Sequence, residues 1–345
     1  MNRNRMMITI LACFGIISLA SLSDVWKADP CYSSQHSHWQ SATKRDPQLA
    51  MAFRNLGWGY YRHQRDIPEA IAHYERALAL ENSEAILYEE LDRLYELNNS
   101  PIAARLKIFE GHNDVAKRRD DAFIRQIGVL TLAGKADKSV EYLKDKVFSY
   151  REGSSRVRET IIDAHLSLGM KYLDEQKNQE ALEQFLKAQV PDEEAGSARF
   201  GNRNMQVYYF IARAYEALGQ KQKATAHDEL ASDVDGTERT AIMSYYQGLS
   251  YQKRNDQKRA RTIFEKMVAK GEQQLNPGEE KQDRFFSIFG EREADTIRKS
   301  MAYTLRGLGY KGLGDRAKAE ADLAKAVELS QGNLWARTEL AEMKE

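Results

Sequence analysis

Cysteine and proline are scarce in this chain of 345 residues, which holds 2 of the first and 6 of the second. Cys13 lies inside an N-terminal apolar run, so Cys31 stands alone in the remainder of the chain and no disulfide framework holds the fold together. So few prolines leave long helices unbroken. An excess of either charge is also missing, because 51 Lys and Arg face 51 Asp and Glu. Without a basic field to hold a polyanion, nucleic acid is set aside as a partner. What the chain does have is charge in bulk, 30% of its residues, with 10% aromatics. That composition suits amphipathic helices with salt-bridged outer faces.

The apolar run extends from Met6 to Leu22, after Arg3 and Arg5, and Ser21 and Ser23 stand at a spacing that a signal peptidase accepts. Residues 1–23 read as a signal peptide cleaved before Asp24, or as a retained signal anchor at the short limit of a spanning helix. Lipidation at Cys13, after Ile10-Leu11-Ala12, fits less well with an apolar run that continues past it. Each version exports the body of the protein, and a membrane is met only through this segment where it is retained. Residues 24–46 are polar, aperiodic and rich in Ser, Gln and His, and read as a flexible tail.

Helical hairpins occupy the rest. The clearest runs Leu168-Gly169, Tyr172, Ala181, Phe185 and Ala188, and is closed by Pro191. A small residue beside a large apolar one lets two helices approach, and the aromatic and alanines fill their seam. Units of this kind stack into solenoids in which each contacts its neighbours. The same code appears at Leu56-Gly57, Tyr60, Ala70, Tyr74 and Ala77, with a turn about one residue longer and Pro68 at the start of the second helix. Looser hairpins cover Asn82 to Phe109 and Asp120 to Val147, which brings residues 47–191 to four hairpins. The fifth and sixth, in 205–271, keep Tyr208, Ile211-Ala212, Tyr215, Ala224 and Ala231, then Gly248, Tyr251, Ala260, Phe264 and Met267. Asp228 stands where the fifth should carry its aromatic. The seventh, in 298–345, has Gly307, Tyr310, Ala319, Leu323 and Ala326, followed by a capping helix. Arg337, Glu339, Glu342 and Lys344 give that helix the polar outer face a terminal repeat needs. Two loops interrupt the array, 192–204 and 272–297, and the second carries Phe285, Phe286 and Phe289 as candidates for docking.

These residues resemble the tetratricopeptide repeat (TPR) family from about Pro47 to Lys344. The resemblance implies an all-α, right-handed superhelix of about seven hairpins. Phe53 to Gly57 with Tyr60-Tyr61, and Leu87 to Asp92 with Leu94-Tyr95, further resemble the repeat half of bacterial proteins that carry a mutarotase-like β-sandwich upstream. No such sandwich is encoded here, so its sugar chemistry does not carry over. The narrower likeness implies a bacterial setting, in which the signal segment of residues 1–23 points to the periplasm or cell envelope, and leaves a carbohydrate-linked binding module as the alternative function.

Gly307, Gly309 and Gly312 satisfy a dinucleotide-loop pattern, but they lie inside a helix in repeat register and read as packing glycines. Cys31, His36 and His38 lack a second ligand cluster. No serine elbow and no placed carboxylate pair is found. The chain therefore reads as non-catalytic, without cofactor or metal. Its leading function is a scaffold whose concave groove binds a protein or peptide partner. Counting from the seam places Arg54, Trp58, Tyr61 and Arg62 on that groove in the first hairpin, and Leu166, Met170 and Leu173 in the fourth. Tyr209, Arg213 and Glu216 line it in the fifth, and Tyr245, Leu249 and Lys253 in the sixth. Aromatics and Arg are the residues that anchor interfaces.

Overall fold

The computed structural model describes residues 30–144, 146–148, 155–189, 203–234, 241–276 and 295–344. Among these there are helices and turns but no strand. In chain order the helices are α1 (Pro30–Arg45), α2 (Ala50–Gly59), α3 (Ile67–Leu80), α4 (Ala85–Leu97), α5 (Ile102–Phe109) and α6 (Asn113–Ala116). Next come α7 (Asp120–Leu132), α8 (Ala136–Leu143), α9 (Ser155–Asp174), α10 (Asn178–Ala188), α11 (Asn204–Ala217) and α12 (Lys221–Asp233). The array ends with α13 (Ser244–Lys253), α14 (Gln257–Leu275), α15 (Asp295–Leu313), α16 (Arg316–Leu329) and α17 (Leu334–Glu342). A π-helical turn, Tyr60–Gln64, extends α2.

The hairpins share one turn. One or two residues past the end of each first helix the chain takes the left-handed conformation, at Arg65, Asn99, Gly134, Gln176, Gly219, Asn255 and Gly314. That conformation ends a helix and frees the chain to reverse. Several second helices then open on a capping acid, as Asp66 accepts from the Glu69 amide at 3.1 Å and Asp256 from Arg259 at 3.0 Å.

The seams explain the spacing of the sequence. A Cβ on Gly169 would overlap the Phe185 ring, and one on Gly248 the Phe264 ring. On Gly57 it would lie 2.8 Å from Tyr74. A Cβ on Gly307 would lie 3.1 Å from Leu323, one on Gly309 2.9 Å from the Phe264 carbonyl, and one on Gly312 would overlap the Phe264 ring. The glycines of the apparent dinucleotide loop therefore let α15 close on α14 and α16. In the fifth hairpin the missing aromatic is replaced by charge, since Arg213 pairs with buried Asp228.

Four regions differ from the sequence reading. Pro30–Arg45, expected to be tail, is helical; it lacks an apolar stripe and is held by buried Ala42 and by the His36 ring, edge-on to Tyr60 at 5.1 Å. The extra residue of the first hairpin is absorbed by the π turn at Tyr60–Gln64, where Asp66 N–H reaches back to the Tyr60 carbonyl at 3.2 Å. Both ends of the expected 272–297 loop are helical, as α14 runs to Leu275 and α15 starts at Asp295. Glu339, assigned to a polar outer face, is only 4% exposed.

By internal contacts the chain divides into two compact units. One holds residues up to Asn98 together with Asp114–Ala122; the other holds Asn99–Asn113 and Phe123 onward. In the first, Tyr74, Tyr88, Leu91 and Leu94 form the centre. In the second, the core runs from Ile162 and Phe185 through Phe210 and Phe264 to Leu323 and Trp335, with a smaller cluster at Phe123, Ile127 and Ala164.

Candidate functional site

The first unit presents an open face. Trp58 is 36% exposed and tilts against Tyr61, with ring centroids 5.8 Å apart. The Arg93 guanidinium, from α4, lies 5.9 Å from both rings. Tyr61 itself is buried beneath this arrangement. Arg54 is committed to Glu90 by two hydrogen bonds of 2.7 Å, which leaves Arg62 as the exposed cation among the four residues expected here. Beside Trp58 lies a cleft of about 470 Å³, lined by Gln35, His36, His38 and Trp39 of α1 and by Asn55, Gly59 and His63 from α2 and its π turn. Its lining contains no Lys, Arg or carboxylate. Burial holds the His36 imidazole below its ordinary range. Sequence reasoning assigned α1 to a tail and so missed this cleft; the clustering of His36, His38 and Trp39 was the signal available.

In the second unit the expected groove wall is occupied. Helix α17 lies across the first helices of four hairpins. Its Trp335 ring packs against Phe210 of α11 and Tyr246 of α13, with centroids 6.3 and 6.2 Å away. The indole N–H donates to Asp163 of α9 at 3.0 Å, and Arg203 covers the ring at 5.5 Å. Arg203 is held by Glu159 at 2.5 Å and Asp163 at 2.8 Å. Four residues past Trp335, the Glu339 carboxylate accepts from Tyr246 Oη at 2.7 Å and from Lys311 Nζ of α15 at 2.8 Å. Burial pushes the Glu339 carboxyl up, and Lys311 opposes that shift.

The residues expected on this wall consequently divide into three groups. Leu166 and Tyr245 are buried at 0% and 4% exposure and are core residues here. Met170, Leu173, Tyr209 and Leu249 are partly buried against the same core. Arg213, Glu216 and Lys253 form a polar strip: Glu216 pairs with Arg213 and lies 3.0 Å from Lys253 Nζ. Arg213 also covers the Tyr209 ring at 5.0 Å. Phe285, Phe286 and Phe289 lie outside the described residues. Among the described residues no group of three or more His, Cys, Asp or Glu could hold a metal ion, and no helix is long and apolar enough to cross a membrane.

Interlocking hairpins with two aromatic-bearing faces define the class: a helical repeat array of the kind that serves as a scaffold for protein–protein interaction. Residues 302–333 match the family model described as the tetratricopeptide repeat. Solved structures similar to it include Naa15/Naa10 bound to HypK-THB, at 13% identity over 93% of this chain and 59% of that one, with a TM-score of 0.38. The APC/C hetero-tetramer Cut9–Hcn1 is similar at 12% over 94% of this chain and 55% of that one, with a TM-score of 0.35. The C-terminal part of a TPR repeat-containing protein from Cytophaga hutchinsonii is similar at 12%, over 92% of this chain and 98% of that one, with a TM-score of 0.26. The chain thus spans under two thirds of the length of the first two.

Proposed function

We propose that this chain is an exported, non-catalytic scaffold that takes a protein or peptide partner at the cleft beside Trp58. The carrying observation is the exposure of that indole, 36%, next to a cleft that also contains Trp39. Large aromatics backed by Arg are the usual anchors of interfaces, and their rings order at low entropic cost. A lining without Lys, Arg or carboxylate favours an apolar or aromatic side chain of the partner over a charged one. Export is supported by the basic residues and apolar run of residues 1–23. The test is affinity capture from a bacterial envelope extract with the full chain, beside Trp58→Ala and Trp39→Ala. A partner held by the native chain and lost from both variants supports the reading; a partner held equally by all three contradicts it.

The same cleft favours one other reading. Two indoles with the amide of Asn55 suit a neutral sugar ring, which stacks on one face and hydrogen-bonds at its edge. A glycan array on which the native chain is silent removes it.

A further inference from the structure

A helix that only caps an array rests on the last hairpin. Helix α17 does more, because its contacts reach Asp163 on α9, Phe210 on α11, Tyr246 on α13 and Lys311 on α15. The residues it buries are Trp335, Ala336, Glu339 and, just past its end, Met343, which fall along one side of a helix. Trp335, Glu339 and Met343 make different demands on the wall: an aromatic floor with an acceptor for the indole N–H, a cation with a hydroxyl for the carboxylate, and an apolar seat for the thioether.

We propose that the wall formed by α9, α11, α13 and α15 is a helix-binding site, which this chain fills with its own C-terminal helix. The partner it fits is a helix bearing an aromatic ring, a carboxylate four residues on, and a methionine-like side chain four further on. This site is separate from the cleft beside Trp58 and does not depend on it.

The occupant is built to exchange. Helix α17 has nine residues, too few to stay helical alone in water. One of its buried anchors is a carboxylate, and the attraction of a buried ion pair is largely offset by the loss of hydration. The covalent tether adds to these contacts an effective concentration on the order of millimolar. The tether is a fixed pivot. Asn333 caps α17 through the Ala336 amide and donates to Ser300 Oγ at 2.9 Å and Thr304 Oγ1 at 2.8 Å. Asn99 accepts from the Gln331 amide at 2.7 Å. The helix beyond this pivot can leave while the turn stays anchored. A partner helix then competes with α17 for the same contacts, and weakening α17's own anchor opens the wall.

The experiment uses the full chain and a fluorescein-labelled peptide of residues 334–344, titrated by fluorescence anisotropy. The native chain should bind the peptide weakly, and Trp335→Ala at least about 10-fold more tightly, because its own helix no longer competes. A second arm reverses the charge. Lys311→Glu should lose the native peptide and accept one carrying Glu339→Lys. Far-UV circular dichroism reports whether each variant is folded, and the Lys311→Glu arm decides where Trp335→Ala fails to fold. Folded Trp335→Ala that binds no peptide would make α17 a fixed cap and overturn the proposal. Equal affinity in the native, Trp335→Ala and Lys311→Glu chains would place the peptide elsewhere and overturn it too. Neither result bears on partner capture at Trp58.

Discussion

Trp58 and Trp335 are both indoles with an arginine over the ring, Arg93 at 5.9 Å and Arg203 at 5.5 Å, yet one is 36% exposed and the other 8%. The first belongs to a face with nothing seated on it among the described residues. The second is itself the seated group, packed on Phe210 and Tyr246. The same hairpin architecture thus yields an open surface in one unit and a filled one in the other. What separates them is a nine-residue helix whose docking is spread over an aromatic contact, an indole hydrogen bond and one ion pair. Repeat register fixes which residues face inward. It does not fix whether anything lies on them.

The largest effect should come from a seam of the second unit. Phe264 is fully buried between Gly248 and Gly312, so Phe264→Ala should cost about 3–5 kcal/mol in denaturant unfolding. Trp58→Ala, on the open face, should change stability by less than about 0.5 kcal/mol while removing the proposed partner. Matching losses for the two would erase the contrast between filled and open faces.

Asp228→Ala comes next. It strands the guanidinium of Arg213, which retains only exposed Glu216, and should cost about 3 kcal/mol. A neutral result would mean that the charged pair does not replace the missing aromatic of the fifth seam.

The turn code is shared by both units and should respond alike in both. Arg65 and Gln176 hold left-handed φ values of 57° and 59°, which cost an L-residue about 1 kcal/mol. Arg65→Gly and Gln176→Gly should therefore each raise stability by up to about 1 kcal/mol in chemical denaturation. A gain in one unit alone would show that the turns differ.

The smallest effect concerns acid. Burial holds the His165 imidazole below its ordinary 6.5, against the opposing hydrogen bond to Gln184. The folded state then binds this proton less readily than the unfolded chain. The stability it secures is present above about pH 6.5 and lost as pH falls toward the folded value. Thermal unfolding of His165→Gln between pH 7 and 5 should be flatter than that of the native chain; parallel curves would assign the acid sensitivity to other groups.

The hairpins were legible because seam pairs such as Gly169 with Phe185 need a glycine and an aromatic at fixed spacing. The π turn was legible only as a surplus residue between Gly57 and Ala70, since counting cannot say how a helix absorbs it. Asp228 looked like a lapse in the code until Arg213 supplied its partner from the facing helix. Helix α1 was missed because a helix with one buried alanine and scattered rings carries no apolar stripe. The docking of α17 was missed for a related reason: Glu339 lies on the buried side, and a carboxylate between apolar positions reads as surface. Lys311, which makes its burial tolerable, is distant in sequence. Long-range charge pairing is invisible to periodicity.

The contrast between the two faces can be read directly from two single-tryptophan chains. One retains only Trp58 and the other only Trp335, with phenylalanine at the remaining positions among Trp26, Trp39, Trp58 and Trp335. Acrylamide quenching and emission maximum should separate them. Trp335 should emit further to the blue and be quenched several-fold more slowly than Trp58, as an indole packed on Phe210 and Tyr246 requires. Equal quenching, with Trp335 emitting like an indole in water, would mean that α17 is not seated on the wall and that both faces are open.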